Sequence, residues 1–224
     1  MIEVARQAYP DRDAMMRDLA ELVADQLRGA HASKGHATLA VPGGTTPGPF
    51  LSALAEADLP WGEIRVMPTD ERMVSELNPR SNARLIRETL LRGPAAVAHF
   101  VDLYEPLLGP RRARVAAALP LDVLVLGMGA DMHTASLFPG APELAAALAP
   151  DAPELLDIHP PEQPEARLTL TAPVLRAASV IHILITGADK LAALERALAD
   201  GPVAEAPVRA VLTAPCPVTV HYAA

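Results

Sequence analysis

Asp131 and His133, separated by a single residue, follow the end of an apolar segment, and together they can perform acid–base chemistry. The apolar segment, residues 121–126, ends in a glycine-rich turn of sequence GMG at residues 127–129. A histidine exchanges protons near neutral pH, and a nearby carboxylate can orient its ring and stabilise its protonated form. Because ligands of open α/β sheets bind at the carboxyl ends of strands, this position predicts a catalytic base. An Asp-x-His pair alone does not establish catalysis.

A second segment, VPGGTTPGPF at residues 41–50, predicts an anion site. It follows an apolar strand pattern and opens a helix pattern. Two adjacent glycines let the backbone turn tightly and bring its N–H groups close to a ligand, and two threonine hydroxyls follow them. A helix N-terminus attracts phosphate. The segment matches neither a Walker loop nor a dinucleotide fingerprint, and the alternative is a glycine turn with a threonine cap.

Further charged residues follow or begin other predicted strands. Arg72, in the triplet Asp70-Glu71-Arg72, can clamp a phosphate or carboxylate with two parallel hydrogen bonds, although a solvated turn has the same composition. Arg167 begins a strand pattern, and Lys190 follows a buried one. Lys190 is equally compatible with a surface lysine at the start of a helix.

No metal site is indicated by the sequence. The chain has one cysteine, Cys216, and neither an HxxxH nor an HExxH spacing. His182 lies inside an apolar segment and is predicted to be a core residue. The single cysteine also excludes an internal disulfide and is typical of a reducing compartment.

Strand-like and helix-like patterns alternate along nearly the whole chain, which predicts crossover units and a mainly parallel sheet covered on both faces. A helix over residues 11–30 is predicted to be capped by Asp11 or Asp13 and to end at Gly29. Further helices are predicted over residues 46–57, 82–92, 110–118, 142–149 and 190–199. Strands are predicted over residues 37–41, 64–68, 96–101, 121–126, 155–158, 167–171, 180–186, 208–212 and 218–222. The proline-rich residues 150–164 are too short to divide domains, so residues 1–224 are predicted to form one domain.

The amino-acid composition and net charge disfavour some classes of binding partner. Of the 224 residues, 50% are hydrophobic and 3% aromatic, and the formal net charge of −8 disfavours a nucleic-acid or anionic-membrane surface. A small anionic ligand remains compatible with this charge. The apolar runs are shorter than the roughly 20 residues of a membrane span, and the first residues lack a signal-peptide pattern. A cytoplasmic location is therefore expected.

Taken together, these segments resemble the 6-phosphogluconolactonase family along nearly the whole chain. The most specific stretch is LGMGxDxHTASLFPG at residues 126–140. Supporting motifs are GGTTP at 43–47, Trp61 after Leu-Pro, DER at 70–72, Ser81-Asn82, Tyr104-Glu105, RLTLT at 167–171 and residues 187–190.

The resemblance implies a three-layer, Rossmann-like α/β fold of the sugar-phosphate isomerase type. It also implies hydrolysis of 6-phospho-D-glucono-1,5-lactone to 6-phospho-D-gluconate, the second step of the oxidative pentose phosphate pathway, without a cofactor. By the same resemblance, His133 would deprotonate the attacking water and Asp131 would orient it. Phosphate would be held by Gly43, Gly44, Thr45, Thr46 and Arg72, with Arg167 and Lys190 completing the pocket. Asp70 would contact sugar hydroxyls or position Arg72, and the amides of Gly127 and Gly129 could donate to the oxyanion. The expected partner is a phosphorylated sugar lactone rather than nucleic acid or membrane, in a monomer or small homo-oligomer.

Two other readings stay open at this point. A glucosamine-6-phosphate deaminase would share the architecture and the phosphate loop, but it has an aromatic residue in place of Arg72 and a different sequence after the histidine. A non-catalytic sugar-phosphate-binding regulator is the third reading, encouraged by Met132, where the family usually has glycine. If that position requires a positive φ, methionine costs about 1 kcal/mol or more and can shift His133.

Overall fold

A computed structural model describes residues 2–104, 110–161 and 163–224. Its strands are β1 (Ala5–Ala8), β2 (Ala37–Val41), β3 (Ile64–Pro68), β4 (Asp70–Arg72), β5 (His99–Phe100), β6 (Val123–Gly127), β7 (Leu155–Ile158), β8 (Arg167–Leu170), β9 (Val180–Thr186) and β10 (Val218–Ala223). Its helices are α1 (Arg12–Lys34), α2 (Gly48–Ala55), α3 (Asn82–Thr89), α4 (Arg111–Ala116), α5 (Leu144–Leu148), α6 (Ala172–Arg176), α7 (Ala188–Leu198) and α8 (Arg209–Leu212). Glu105 of the Tyr104-Glu105 motif lies outside the described residues.

Seven strands form one parallel sheet in the order β1-β10-β9-β6-β2-β3-β5. Alternate strand residues face opposite layers: Leu39 and Val41 pack in the core that contains α1 and α2, whereas Ala40 packs in the core that contains α7 and α8. The central strands are covered on both faces and are mostly apolar, as parallel sheets require, with Thr38 and His182 among the buried polar exceptions. The predicted three-layer, mainly parallel α/β architecture is confirmed.

A second sheet, with strand order β4-β8-β7, is antiparallel. It pairs Arg72 with Arg167, two residues far apart in the sequence. Strand β4 was not among the predicted elements because a three-residue strand carries no periodicity of its own. The pairing brings two guanidinium groups to one side of the parallel sheet.

Several predicted elements differ from the structure. Residues 208–212 were predicted as a strand, but residues 209–212 form helix α8 with Val208 as its N-cap, because a five-residue stretch with four apolar residues fits either period. Of the predicted strand over residues 96–101, Ala96 and Val97 instead end a 3-10 helix, Gly93–Val97, and only His99–Phe100 form a strand, β5. Gly29 lies inside α1, which ends at Gly35 with φ 78°, whereas the predicted cap Asp11 accepts a hydrogen bond from the Ala14 N–H. Strand β1 and helix α6 were not predicted.

A chain of buried polar side chains connects α1 to the sheet. With both imidazoles neutral, the Tyr9 hydroxyl donates to His221 Nδ1 (2.8 Å), His221 Nε2–H to His182 Nδ1 (3.0 Å) and His182 Nε2–H to Gln26 Oε1 (2.8 Å). Burial, together with the neighbouring His221, lowers the pKa of His182 to about 3, and burial lowers the pKa of His221 to about 4. These histidines are core residues, as predicted for His182.

None of the helices in the described ranges is long and apolar enough to cross a bilayer.

Candidate active site

A cavity of about 230 Å³ opens at the carboxyl ends of β2, β3, β6 and β9. Every predicted site residue except Asp131 lines it: Gly43, Gly44, Thr45, Thr46, Asp70, Arg72, Gly127, Gly129, His133, Arg167 and Lys190. Further lining residues are Pro42, Pro47, Thr69, Asn82, Met128, Ala135 and Leu184. Parallel strands all end at one edge, so motifs far apart in the sequence meet there.

His133 and Asp131 form a close pair beside this cavity. Asp131 Oδ1 accepts hydrogen bonds from the His133 ring Nδ1–H at 2.5 Å and from the His133 backbone N–H at 3.2 Å. Burial acts to raise the pKa of Asp131, but the hydrogen bonds and charge of His133 outweigh it and hold the pKa below its ordinary value. With Nδ1 protonated toward Asp131, the Nε2 lone pair is left to accept a proton.

The backbone of the turn makes room for this pair. A Cβ on Gly129 would lie 2.2 Å from His133 Nδ1 and 2.3 Å from Asp131 Oδ1, so no side chain fits there. Met132 has φ 66°, the left-handed conformation whose possible cost the sequence already indicated. The Asp131–His133 contact is nevertheless intact.

One of the two predicted donors in this turn, the Gly129 amide, is used internally. The Gly129 N–H donates to the His133 carbonyl at 3.0 Å, and the Gly127 carbonyl accepts from the Thr134 hydroxyl at 2.8 Å. The Gly129 amide is thus occupied in this arrangement and is not free to bind an oxyanion. Gly129 instead provides space, which the sequence reading did not recognise.

Phe138 joins the histidine to Arg167. Its ring stacks on the His133 ring with centroids 4.2 Å apart, and the Arg167 guanidinium lies 5.5 Å from its centroid. Burial lowers the pKa of Arg167 against the attraction of Asp70, whose Oδ2 lies 3.7 Å from Arg167 Nη1. Guanidinium stays cationic under these conditions, so the cavity keeps a buried positive charge beside the imidazole.

Asp70 is buried and holds the segment after the histidine. Its Oδ2 accepts a hydrogen bond from the Ser136 hydroxyl at 2.6 Å, and Ser136 N–H in turn donates to Thr169 Oγ1 at 3.1 Å. In the described ranges Asp70 and Arg72 form neither a hydrogen bond nor an ion pair with each other, so the structure gives no support to the idea that Asp70 positions Arg72 directly. Ser136, whose hydroxyl is committed to this contact, is not placed to act as a nucleophile.

Glu71 organises the wall that carries Arg72. Its buried carboxylate accepts from the backbone N–H groups of Arg72 (2.7 Å), Asn82 (2.8 Å) and Ala83 (2.6 Å), and from the Ser81 hydroxyl (3.1 Å). Burial raises the pKa of Glu71, although the three backbone donors act in the opposite direction. The carboxylate also satisfies the first N–H groups of α3, whose N-cap is Ser81.

The predicted phosphate loop contacts this wall. Asn82 Nδ2 donates to the Asp70 carbonyl at 2.8 Å, and a Cβ on Gly43 would lie only 1.8 Å from Asn82 Oδ1. Gly44 has φ 89°, which glycine adopts without strain. Helix α2 begins at Gly48, later than the predicted residue 46, so both threonines belong to the loop itself.

Charge in the cavity favours an anion. Arg72, Arg167 and Lys190 line it, against the single carboxylate of Asp70. The Arg72 Nη1 donates to the Arg80 carbonyl, and in the part of the chain that the structure describes no carboxylate forms an ion pair with the Arg72 guanidinium. In the same ranges, no group of three or more His, Cys, Asp or Glu side chains could hold a metal ion.

The family is decided by comparison with known proteins. The model of the glucosamine-6-phosphate isomerase/6-phosphogluconolactonase family matches residues 10–220. The chain belongs to this family. Within it, the chain is 45% identical over 227 residues to a 6-phosphogluconolactonase of Pseudomonas aeruginosa, covering 98% of this chain and 94% of the relative. It is also 45% identical over 225 residues to one of Mesorhizobium japonicum, covering 96% and 94%.

A solved structure of the same family agrees. The crystal structure of a 6-phosphogluconolactonase from Shewanella baltica superposes with a TM-score of 0.94 at 32% identity, covering 100% of both chains. The resemblance to this family is therefore confirmed. The family's sequence motifs did not reveal Phe138, Ser136, Glu71 or Asn82 as parts of the site, although Phe138 and Ser136 lie inside the most specific motif.

Proposed function

We propose that this chain hydrolyses 6-phospho-D-glucono-1,5-lactone to 6-phospho-D-gluconate, with His133 as the general base. The observation that carries the proposal is that one cavity combines a glycine-threonine loop, three cationic side chains and an imidazole oriented by a carboxylate. Its family membership and its relatives' names support the same reaction. We assign it to the second step of the oxidative pentose phosphate pathway, carried out by residues 1–224 as a single domain.

The phosphate end of the substrate is assigned to residues 43–46 with Arg72. Backbone N–H groups of a glycine loop before a helix and a nearby guanidinium are suited to a dianion. Arg167 and Lys190 add positive charge to the same cavity. Binding at this end fixes the lactone carbonyl relative to His133, and such positioning supplies much of the rate of a reaction between an activated ester and water.

The reaction at the carbonyl needs one base and one site for negative charge. His133 Nε2 takes a proton from water as the water oxygen bonds to the carbonyl carbon, and Asp131 stabilises the imidazolium that forms. The tetrahedral oxyanion is assigned to the cationic side chains of the cavity, since the Gly129 amide is already bonded. Collapse breaks the ring C–O bond, and the imidazolium returns its proton to the departing ring oxygen.

The geometry favours catalysis over a binding-only role. The regulator reading depended on displacement of His133 by Met132, yet the Asp131–His133 hydrogen bond is 2.5 Å despite the φ of 66°. Arg72 faces the cavity where the deaminase alternative would have an aromatic residue.

The test is a lactonase assay with freshly generated 6-phosphogluconolactone, corrected for spontaneous hydrolysis. Arg72→Ala is expected to raise KM by about tenfold to a hundredfold, because a hydrogen bond to a charged group contributes about 1.5–3 kcal/mol. Unphosphorylated D-glucono-1,5-lactone is the matched control substrate, whose hydrolysis is expected to be indifferent to this change. Equal effects on both substrates would remove the phosphate role, and release of ammonia from glucosamine 6-phosphate without lactonase activity would favour a deaminase.

A further inference from the structure

The segment that carries the catalytic pair is held from outside the cavity by two hydrogen bonds to its backbone. Arg196 Nη2 donates to the Ala130 carbonyl at 3.0 Å, and the Val208 N–H donates to the Met132 carbonyl at 3.1 Å. The two accepting residues, Ala130 and Met132, flank Asp131 in the sequence, and Met132 directly precedes His133. Arg196 of α7 and Val208, the N-cap residue of α8, thus hold the segment on both sides of Asp131.

Arg209 fixes the geometry of these two donors. It is 7% exposed, and it donates from Nε to the Ala197 carbonyl (2.8 Å), from Nη1 to the Pro202 carbonyl (2.9 Å) and from Nη2 to the Arg196 carbonyl (3.0 Å). It therefore ties the last turn of α7, which bears Arg196, to the first residue of α8. Lysine has a single donor nitrogen and cannot reproduce this fork.

The segment needs an external hold because its backbone is strained. A left-handed conformation costs a residue with a Cβ about 1–2 kcal/mol, and Met132 adopts it at φ 66°. Such conformations persist only where the surroundings over-determine them. Inside the turn, the Met132 N–H donates to the Gly129 carbonyl and the Gly129 N–H to the His133 carbonyl, each at 3.0 Å, and the His133 N–H donates to Asp131 Oδ1 at 3.2 Å.

We propose that Arg209 and Arg196 are positioning residues, which hold Met132 in the left-handed conformation and thereby fix the Asp131–His133 pair. Neither lines the cavity, so they act on the reaction through the backbone of the turn. The inference rests on the proposed function for its kinetic test but not for its structural one.

The kinetic test compares Arg209→Lys and Arg196→Ala with the wild type. A shift of the base from its productive position lowers kcat, so we expect about a tenfold loss for Arg209→Lys and about threefold for Arg196→Ala, with KM within twofold. Arg176→Ala is the matched control, because Arg176 bonds the Ala210 carbonyl and Thr213 Oγ1 near the other end of α8. A rise in KM at constant kcat, or equal losses in the Arg176 and Arg196 variants, overturns the proposal.

A double-mutant cycle distinguishes positioning from general loss of stability. Met132→Gly removes the conflict between Cβ and the backbone, so the external hold has less to oppose. The kcat loss from Arg196→Ala is expected to shrink by about half or more in the Met132→Gly background. Strictly additive losses in kcat contradict the assignment.

The structural test uses hydrogen exchange of the Val208 amide in the free protein. We expect exchange to accelerate at least tenfold in both arginine variants and to stay unchanged in Arg176→Ala, and unchanged exchange in all three overturns the proposal. If the wild type shows no lactonase activity while exchange follows this pattern, the proposed function fails and the positioning role stands.

Discussion

His133 and the pair His182–His221 show how surroundings decide what an imidazole can do. His133 contacts a carboxylate, and 29% of its side chain is exposed to a cavity and solvent. His182 and His221 are each 1% exposed and contact only neutral partners, Gln26, Tyr9 and one another. The first setting lets a proton arrive and leave, whereas the second holds both rings neutral. A histidine's function therefore follows from its neighbours, and each setting can be tested against the other.

The largest expected effect separates the two settings by activity. His133→Ala should lower kcat for the phosphorylated lactone by about 10²–10⁴-fold, because a general base contributes about that factor. His221→Gln should retain the wild-type rate, since His221 belongs to strand β10 and does not line the cavity. The measurement is the initial rate above spontaneous hydrolysis. Equal rates for wild type and His133→Ala would show that the base is another group.

The carboxylate should contribute less than the ring it orients. Asp131→Asn can still accept from His133 Nδ1–H but carries no charge to stabilise an imidazolium, so kcat should fall by roughly 10²-fold with KM unchanged. Glu143 and His159 provide the control pair. Glu143 Oε1 lies 2.8 Å from His159 Nδ1, and neither residue lines the cavity. Glu143→Gln should leave kcat unchanged, and a loss equal to that of Asp131→Asn would point to a nonspecific charge effect.

The buried pair should instead appear in the dependence of stability on pH. The folded-state pKa values of His182 and His221 are about 3 and about 4, below the ordinary 6.5, so the unfolded chain binds protons first as the pH falls. Between about pH 6.5 and pH 4 their contribution to the free energy of unfolding should therefore fall with decreasing pH, by about 1.4 kcal/mol per proton per pH unit.

Denaturant titrations across this pH range check the prediction. His221→Gln removes one titrating group and should make the dependence shallower by about one proton. His99→Gln is the control, because His99 is exposed and takes no part in the hydrogen-bonded chain of Tyr9, His221, His182 and Gln26. A slope that His221→Gln leaves unchanged would mean that this histidine titrates similarly in the folded and unfolded chain.

The smallest expected effect is on the free energy of unfolding, and it compares the backbone next to His133 with the backbone of the strand that pairs with His182. Met132→Gly relieves a left-handed conformation but removes a partly buried side chain, so the free energy of unfolding should change by less than about 1 kcal/mol. Thr219→Gly, in the regular strand β10 opposite His182, should lower it by about 1 kcal/mol. If both glycines destabilise equally in denaturant titrations, Met132 stores no strain.

Much of this architecture was accessible from local pattern. The bounds of β2, β3, β7 and β9 agree with the predicted residues 37–41, 64–68, 155–158 and 180–186, because flanking turns and apolar runs define them locally. Helix α8 was mistaken for a strand, since the four apolar residues among 208–212 fit either period. The antiparallel sheet depends on pairing Arg72 with Arg167, which no local window contains.

The part of the site that could be predicted from the sequence is the set of residue types whose side chains carry out the chemistry. The sequence indicated a base, a carboxylate and arginines, and their roles stay predictions. The contacts that place them, such as Phe138 on His133 or Asp70 with Ser136, join residues whose relation is set by the tertiary fold. Arg196 and Arg209, which hold the Ala130–His133 segment from outside the cavity, were missed for the same reason.

The exposure of Asp131 has a consequence for the end of each turnover. About half of its side chain, 51%, faces solvent, and it does not line the cavity. The product is an acid, but the proton it releases comes from its new carboxyl group, because His133 has already returned the proton it took to the ring oxygen. The exposed Asp131, whose pKa is held low, therefore ends each cycle as it began it, as an ionised carboxylate in contact with water, and no proton has to leave through it before the next substrate binds.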